Sequence, residues 1–223
     1  MLRITLLPII FGLLLHFAPT AEPDTNSSDA PAQIDECSFR PEVPVAEDYM
    51  SLVSIADPYL GNMESSVTVI EFFDPNCPHC ATFHPVMKQV VDDMGAHARF
   101  FLIPFPLWQY SLVQTEALYV AAQEGKYLDM LDAQYLHQKQ GGMSMDEVTV
   151  LAGDIGLETA VFRQRLEQGL NQRMILERRQ QIAEMGVRGT PSVMINGQLV
   201  AGDSMSRICL NQLIADEAKK AQG

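Results

Sequence analysis

The sequence predicts an α/β domain that is interrupted by a helical insertion. An apolar, β-branched run at residues 67–73 indicates a buried strand, and similar runs at 99–103 and 192–200 indicate further strands. Residues 107–185 instead show a helical pattern, with apolar side chains recurring at helical spacing. The order strand–helix–strand, helical block, strand–strand–helix is typical of one sheet covered by helices and carrying a large insertion.

Proline residues and a capping pattern mark element boundaries before and within the insertion. A helix begins near Pro78, directly after the first strand, and the second strand ends at Pro104. Within the insertion, Ser144 and Glu147 have the spacing of a capping box, which predicts the start of a helix over Asp146–Ala152.

The last part of the chain predicts a hairpin and a closing helix. Gly186 is a natural stop for the final helix of the insertion. Ser192–Ile195 and Gln198–Val200 flank Asn196-Gly197, a pair that favours a hairpin turn. Met205–Ala218 then shows a helical pattern.

The first residues have the layout of a secretory signal. Met1–Arg3 carries one positive charge, Ile4–Leu15 is almost wholly apolar, and small residues follow near Ala21. The apolar run is shorter than the roughly 20 residues that a membrane-spanning helix needs. We therefore expect residues 1–21 to be a signal peptide, with retention as an amino-terminal anchor as the alternative, and the rest of the chain to be exported.

Composition divides the rest of the chain into segments. Residues 22–60 are expected to form a flexible tether and an amino-terminal arm, since Pro, Ser, Asp and Glu are frequent in its first part. Residues 61–106 and 186–223 are expected to form the two parts of the α/β domain around the insertion at 107–185. The net charge of −13 argues against nucleic acid or an anionic membrane surface as a partner.

Cys77-Pro78-His79-Cys80 is the main candidate for chemistry. Two thiols three positions apart can close and reopen one disulfide, and the start of a helix favours a thiolate there. Cys77, nearer the helix start and more exposed, should attack, while Cys80 should resolve the mixed disulfide. Pro78 is tolerated at the first helical position, and His79 is expected to donate a hydrogen bond or positive charge to the Cys77 thiolate.

A structural disulfide or half of a zinc site is the alternative for the cysteine pair. Zinc normally needs four ligands, and the remaining cysteines, Cys37 and Cys209, do not form a second close pair in the sequence. We therefore expect no metal at Cys77 and Cys80.

Glu71 and the segment before Ser192 are two further candidates. Glu71 is a carboxylate in an apolar strand. If it faces inward, burial of the carboxylate is costly unless it is protonated. An inward Glu71 would also be placed to exchange a proton with Cys80 through water. An outward orientation at a sheet edge is the alternative. Gly186–Ser192 places two glycines before Pro191, which suits a tight turn with a cis bond before the proline.

Together these motifs resemble the DsbA family of thioredoxin-fold oxidoreductases. The strand Val69–Phe73 followed by Cys77-Pro78-His79-Cys80 is similar to that family's active-site segment, and Gly186–Pro191 is similar to its cis-proline loop. The resemblance covers roughly residues 60–220. It implies a thioredoxin fold with a helical-domain insertion between the second strand and the cis-proline strand.

The resemblance also implies roles for individual residues. Cys77 would be the nucleophile, Cys80 the resolving thiol and Glu71 the buried acid, while Pro191 would pack against the pair and Thr190 would pair with the substrate backbone. The protein would then be a periplasmic thiol-disulfide oxidoreductase that needs no cofactor and acts as a monomer. It would donate a disulfide to reduced or unfolded exported proteins through a mixed disulfide, and a membrane redox partner would reoxidise it.

Two features lie outside this resemblance, the amino-terminal tether and the cysteines Cys37 and Cys209. A bridge between Cys37 and Cys209 would tie the arm to the body, and two free thiols or an intermolecular bond are the alternatives. A reductase or isomerase of the same fold is a second functional possibility. Isomerases of this fold usually carry an amino-terminal dimerisation domain, for which the segment before the first strand is too short.

Two other classes of protein remain as alternatives. Twelve methionines, among them Met143 and Met145, keep a copper-handling protein open, although most of them fall on apolar helical faces. Phe105, Leu107 and Trp108 would either line the apolar patch of a chaperone-like binder or pack between the two parts of the molecule.

Overall fold

The computed structural model describes residues 37–55 and 57–221. The expected signal peptide, residues 1–21, and residues 22–36 of the expected tether lie outside the described residues. Among the described residues, no helix is both long and apolar enough to span a membrane.

A five-stranded sheet forms the centre of the described chain. Its strands are β1 (Tyr59–Gly61), β2 (Thr68–Phe73), β3 (Arg99–Pro104), β4 (Ser192–Ile195) and β5 (Gln198–Leu199). Their order is β1-β3-β2-β4-β5, with β2 and β3 parallel and the other pairs antiparallel. Every residue of β2 is buried, which explains why this strand is a nearly continuous apolar run in the sequence.

Seven helices surround the sheet in the described part of the chain. They are α1 (Pro78–Met94), α2 (Ser111–Ala122), α3 (Tyr127–Leu136), α4 (Met145–Asp154), α5 (Thr159–Gln168), α6 (Gln172–Glu184) and α7 (Arg207–Lys220). Five of them, α2 to α6, lie between β3 and β4, so the expected helical insertion is confirmed. The capping box also forms, since the Ser144 hydroxyl accepts from the Glu147 N–H and the Glu147 carboxylate accepts from the Ser144 N–H.

The two faces of the sheet are covered by different elements. Val69 and Phe100 pack with α1 and α7, and Phe73 and Leu102 on the same face pack with the helices of the insertion. The opposite face, which includes Phe72, packs with α6 and with a 3₁₀ turn before β1. Successive side chains of β2 alternate between these faces, so Glu71 shares the face of Phe73.

Strand β1 is the main element that the sequence did not predict. The segment before the first predicted strand falls within the expected amino-terminal arm. It contains a 3₁₀ turn at Tyr49–Leu52 and then pairs Tyr59–Gly61 with β3. The strand is only three residues long and partly exposed, so it has no alternating apolar pattern. Its existence depends on the edge of β3.

The described part of the expected tether is bound to the body of the protein. Cys37 and Cys209 form a disulfide, which resolves the alternatives left open by the sequence in favour of a bridge. Beyond it, the Arg40 N–H donates to the Leu199 carbonyl at 2.8 Å and the Ala46 N–H donates to the Gly197 carbonyl at 2.9 Å. This segment therefore runs along the outer edge of β5.

Candidate active site

The two cysteines of the CPHC segment lie at the amino-terminal end of α1. Cys77 is the N-cap residue, Pro78 takes the first helical position, and Cys80 lies within the first turn. Both thiols are free, so the pair is in its reduced form. Cys77 is 3% exposed and Cys80 is fully buried, so Cys77 is the more accessible sulfur, as expected, by a small margin.

The two thiols have very different acidities. The pKa of Cys77 is lowered to about 5, chiefly because the Cys80 thiol hydrogen-bonds to it, with smaller contributions from Thr190 and from the main chain of Cys80 and His79. The pKa of Cys80 is raised strongly, first by burial and then by its hydrogen bond to Cys77. At neutral pH, Cys77 is therefore a thiolate and Cys80 stays protonated.

The cis-proline loop lies against the nucleophile. The Thr190–Pro191 bond is cis, and the Cys77 sulfur lies 3.3 Å from the Thr190 carbonyl oxygen, to which it can donate only when it is protonated. The Thr190 hydroxyl is buried and has no hydrogen-bond partner within the described residues, yet it lowers the pKa of both cysteines. The loop therefore reaches Cys77 through Thr190, and the packing of Pro191 against the pair stays a prediction.

The expected role of the His79 ring is not supported. The side chain is exposed, and no hydrogen bond joins its ring to another described residue. The contribution of His79 to the low pKa of Cys77 comes from its backbone. The physical reason is helix geometry: backbone N–H groups of the first turn point along the axis toward the N-cap, whereas side chains project away from it. A role of the His79 ring therefore stays a prediction.

Glu71 faces inward, as one of the two alternatives predicted. Its side chain is 1% exposed, and neither carboxylate oxygen has a hydrogen-bond partner among the described residues. The residues opposite it in the sheet, Leu102 and Val193, are apolar. Burial alone raises the pKa of Glu71 to about 8, so the group is mostly protonated at neutral pH.

Asp74 is a site residue that the sequence analysis missed. Its buried carboxylate accepts from the Asn76 N–H at 2.7 Å and from the Leu107 N–H at 2.6 Å. Burial raises the pKa of Asp74, and the charge of Cys77 adds to that effect. The signal was available, since an Asp that bonds the backbone two residues on is a common turn pattern.

The helical insertion braces the same turn from the other side. The Gln138 amide donates to the Pro75 carbonyl at 2.9 Å, and the Asn76 amide donates to the Ser111 hydroxyl at 3.1 Å. Residues from three separate segments therefore hold the three positions that precede Cys77. The geometry of the CPHC segment depends on the insertion as well as on the sheet.

An aromatic pair flanks the site. The rings of Trp108 and Tyr110 stack at 5.5 Å, are 39% and 40% exposed, and border a groove of about 360 Å³ that Pro78 also lines. The sequence left two alternatives for the apolar segment here, an exposed patch or a packed interior. Phe105 is buried, Leu107 is partly buried and Trp108 is exposed, so neither alternative describes all three residues.

The two methionines behind the copper alternative do not form a surface site. Met143 is 5% exposed within a hydrophobic cluster, and Met145 packs against that cluster. Within residues 37–55 and 57–221, no group of three or more His, Cys, Asp or Glu side chains is arranged to hold a metal ion. Core packing accounts for both methionines.

A CXXC pair at the start of a helix, a cis-proline loop against its first sulfur and a helical insertion define a thioredoxin fold of the DsbA-like class. The thioredoxin family model matches residues 54–214. The chain therefore belongs to the thioredoxin family.

Two solved structures share this fold. The thiol-disulfide exchange protein alpha-DsbA2 of Wolbachia pipientis is 23% identical, with a TM-score of 0.67 over 76% of this chain and 92% of that one. A thioredoxin-like oxidoreductase of Silicibacter pomeroyi DSS-3 is 29% identical, with a TM-score of 0.64 over 78% of this chain and 99% of that one.

Curated relatives are longer than the matched region. A Na(+)/H(+) antiporter, NhaA 1, of Salinispora arenicola is 27% identical over 161 residues, which are 69% of this chain and 24% of that protein. A Rickettsia typhi protein provisionally named as a protein-disulfide oxidoreductase is 27% identical over 176 residues, 73% of this chain and 64% of that protein. The chain thus spans about a quarter of the first relative and under two thirds of the second.

Proposed function

We propose that this protein is an exported thiol-disulfide oxidoreductase that donates the Cys77–Cys80 disulfide to reduced proteins. The observation that carries the proposal is the difference in acidity between Cys77, whose pKa is lowered, and Cys80, which is fully buried and stays protonated. A stabilised Cys77 thiolate favours the reduced pair, and a disulfide whose reduced form is stabilised is a strong oxidant. The same thiolate is a good leaving group when substrate takes the disulfide away.

The reaction proceeds through a mixed disulfide. A substrate thiolate attacks the Cys77 sulfur, which breaks the bond to Cys80 and forms a bond between substrate and Cys77; Cys80 leaves as a thiolate and takes up one proton. A second substrate thiolate then attacks the substrate sulfur of the mixed disulfide, and Cys77 leaves as a thiolate. The substrate loses two electrons and gains a disulfide, and the cysteine pair gains the two electrons.

Neighbouring groups support each step. Glu71, protonated at neutral pH, gives its proton to Cys80 as that sulfur leaves. Thr190, whose carbonyl lies beside Cys77, pairs with the substrate backbone while the mixed disulfide exists, and Pro191 keeps that strand end against the pair. Pro78 and His79, exposed at the helix tip, form the surface that the substrate meets.

Donation of disulfides is favoured over reduction or isomerisation by the low pKa of Cys77. A reductase transfers electrons to its substrate, so its own cysteine pair must be stable as a disulfide after the exchange. A strongly stabilised Cys77 thiolate favours the reduced pair instead. The transport activity in the name of the Salinispora relative is not carried over, because the match covers only 24% of that protein.

Export is supported by two independent features. The amino-terminal residues have the layout of a secretory signal, and the Cys37–Cys209 bridge is of a kind that persists outside the cytosol. We propose that the protein acts in the periplasm on reduced or unfolded exported proteins, as a monomer, and that a membrane redox partner reoxidises Cys77–Cys80.

The test is oxidation of a reduced dithiol peptide by the purified, oxidised protein. Cys77→Ser should abolish the reaction. Cys80→Ser, mixed with the disulfide form of the peptide, should accumulate a mixed disulfide at Cys77, with the other peptide sulfur leaving as a thiolate. The matched control is the double variant Cys37→Ser, Cys209→Ser, which removes the other disulfide and should still oxidise the peptide. If the control loses activity while Cys77→Ser retains it, the wrong pair has been assigned.

A further inference from the structure

A surface depression begins at the residue after Cys77 and crosses the aromatic pair. Its first part is the groove of about 360 Å³ lined by Pro78, Tyr110, Trp108 and the loop after α3. Its second part is a smaller hollow of about 80 Å³ beyond Trp108, between α6 and the segment that leads into α2. Trp108 lines both parts, so they meet at its side chain, and together we call them the Trp108 groove.

Hydrogen bonds hold the walls of the Trp108 groove in place. The Gln138 amide donates to the Pro75 carbonyl at 2.9 Å, which joins the loop after α3 to the turn before Cys77. The Arg179 Nε–H donates to the Pro106 carbonyl at 2.7 Å, which joins α6 to the segment that leads into α2. The groove is therefore formed before any ligand arrives, and a preformed site loses little conformational entropy on binding.

The aromatic pair is a rigid part of the groove. Gly142 has a φ of +77°, and a Cβ on it would lie 2.8 Å from a carbon of the Tyr110 ring, so the ring packs where only a glycine leaves room. The Trp108 ring stacks on the Tyr110 ring with 9° between their planes, and both stay exposed. Ordered, exposed aromatic rings are common in binding surfaces, since they supply a large contact area at a low cost in entropy.

The groove is positively charged although the protein as a whole is acidic. Among the described residues that line its two parts there is no Asp or Glu, whereas the chain has a net charge of −13. Lys139 lines the first part and pairs with Glu147. Arg179 lines the second part, is exposed, and pairs with no carboxylate in the described part of the chain. The second part therefore favours a ligand with a carboxylate.

We propose that the Trp108 groove binds the substrate segment next to the reacting cysteine. An aromatic side chain of that segment stacks on Trp108, and an acidic side chain further along pairs with Arg179. The proposal rests on the proposed function, because a substrate sulfur bound to Cys77 is what brings the neighbouring segment to Pro78. The described residues that line the groove include none from the cis-proline loop, so this contact adds to the pairing of the substrate backbone with Thr190.

Binding in the groove precedes the exchange of sulfurs. A substrate held there reaches Cys77 at a lower concentration, whereas the exchange itself is unchanged once the groove is filled. The groove should therefore lower the substrate concentration at half-maximal rate and leave the maximal rate unchanged. A change that disturbed Cys77 itself would alter the maximal rate instead.

Single-turnover oxidation of reduced dithiol peptides by the oxidised protein measures both quantities. The peptides are unstructured and carry Phe followed by Glu, with Phe at successive positions before or after the cysteines, and matched peptides carry Ala in place of Phe. At the best position, the Phe peptide should react about tenfold faster than the Ala peptide at low concentration. At saturating concentration the two peptides should react equally fast.

The quantity to compare between variants is the ratio of the Phe and Ala peptide rates, because a general loss of reactivity leaves a ratio unchanged. Trp108→Ala should lower this ratio to about one, and Trp108→Phe, which keeps a flat ring, should retain most of it. Arg179→Gln should instead abolish the preference for a peptide with Glu over one with Gln, and it should keep the preference for Phe. Such paired changes form a double-mutant cycle for each contact.

The fluorescence of Trp108 also reports binding directly, because it is the only tryptophan in the chain. Peptides with Ser in place of both cysteines cannot react, so their titration into the oxidised protein measures docking alone. The Phe peptide should change the fluorescence in a saturable way at concentrations where the Ala peptide causes no change. This measurement needs no variant, so it stays available if a substitution of Trp108 unfolds the protein.

Tyr59→Ala is the matched control, since Tyr59 is another exposed aromatic residue but lies on β1, at the edge of the sheet. Its ratio of peptide rates should equal that of the parent. Equal rates for the Phe and Ala peptides at every position, or the parent ratio in Trp108→Ala, would overturn the assignment of the groove. A parent protein that oxidises neither the peptides nor dithiothreitol would instead overturn the proposed function.

Discussion

The sulfur of Cys77 lies 3.3 Å from the carbonyl oxygen of Thr190, a residue 113 positions further along the chain. This contact joins the helix tip to the cis-proline loop, so a substrate sulfur bound to Cys77 would bring the substrate backbone to that loop. The nucleophile and the surface that would orient its partner are thus held by one contact between distant segments.

The acidity of Cys77 should depend on its neighbour in the pair. Cys80→Ala should raise the pKa of Cys77 from about 5 toward the usual value for a thiol, because the hydrogen bond from Cys80 is the largest cause of the shift. Cys80→Ser retains a donor and should raise it less. The pH dependence of Cys77 alkylation measures both values; identical midpoints in parent and Cys80→Ala would assign the shift to the helix backbone instead.

Asp74 should contribute strongly to stability. Asp74→Ala leaves the N–H groups of Asn76 and Leu107 without their acceptor, which should lower the free energy of unfolding by roughly 3 kcal/mol, since each bond involves a charged group. Asp74→Asn keeps one carbonyl oxygen and should lose about half as much. Denaturant titration of the oxidised forms measures the difference. Equal losses in Asp74→Ala and Asp74→Asn would show that the charge of Asp74, and not its number of acceptor oxygens, stabilises the fold.

Local features of this site were predictable from the sequence, and partners distant in sequence were not. The CPHC segment, the carboxylate of Glu71 within an apolar strand and the loop before Ser192 are each recognisable from a few adjacent residues, because turn chemistry and burial pattern act locally. In contrast, Arg178 forms a buried ion pair with Asp57, 121 positions away, at 2.7 Å. No spacing rule links two such residues before the fold brings them together.

The same limit applies to other parts of the chain. Sequence position shows only that His79 lies between the thiols, whereas helix geometry decides which of its atoms faces Cys77. Strand β1 was missed because three partly exposed residues carry no periodic signal. His84 and Asp132 look like ordinary helical surface residues until the packing of α1 on α3 places them 2.6 Å apart.

The Cys37–Cys209 disulfide should stabilise the fold without taking part in exchange. The bonded residues are 172 positions apart, and closing so long a loop contributes about 5 kcal/mol in the chain-entropy model. The double variant Cys37→Ser, Cys209→Ser should therefore unfold at lower denaturant concentration. Its rate of peptide oxidation at Cys77 should equal that of the parent. A lower rate in the folded variant would show that the amino-terminal segment also shapes the active site.

Glu71 should make the protein less stable as the pH rises. Burial raises the pKa of Glu71 from its ordinary value of 4.5 to about 8, so between these values the folded state holds a proton that the unfolded state has lost. The free energy of unfolding must therefore fall as pH rises through that window, by about 5 kcal/mol in total. The oxidised protein is the correct form to measure, since it has no thiol at Cys77 to titrate.

Glu71→Gln removes this titration and should flatten the dependence of stability on pH between about 4.5 and 8, whatever its effect on absolute stability. Glu116→Gln is the matched control. Glu116 is also buried, but its carboxylate accepts two hydrogen bonds from Asn171, at 3.1 and 2.9 Å, which oppose the effect of burial on its pKa. The control should therefore change the slope less. Equal slopes in parent and Glu71→Gln would mean that the Glu71 carboxyl ionises at its ordinary pH, and it could then not hold a proton for Cys80 at neutral pH.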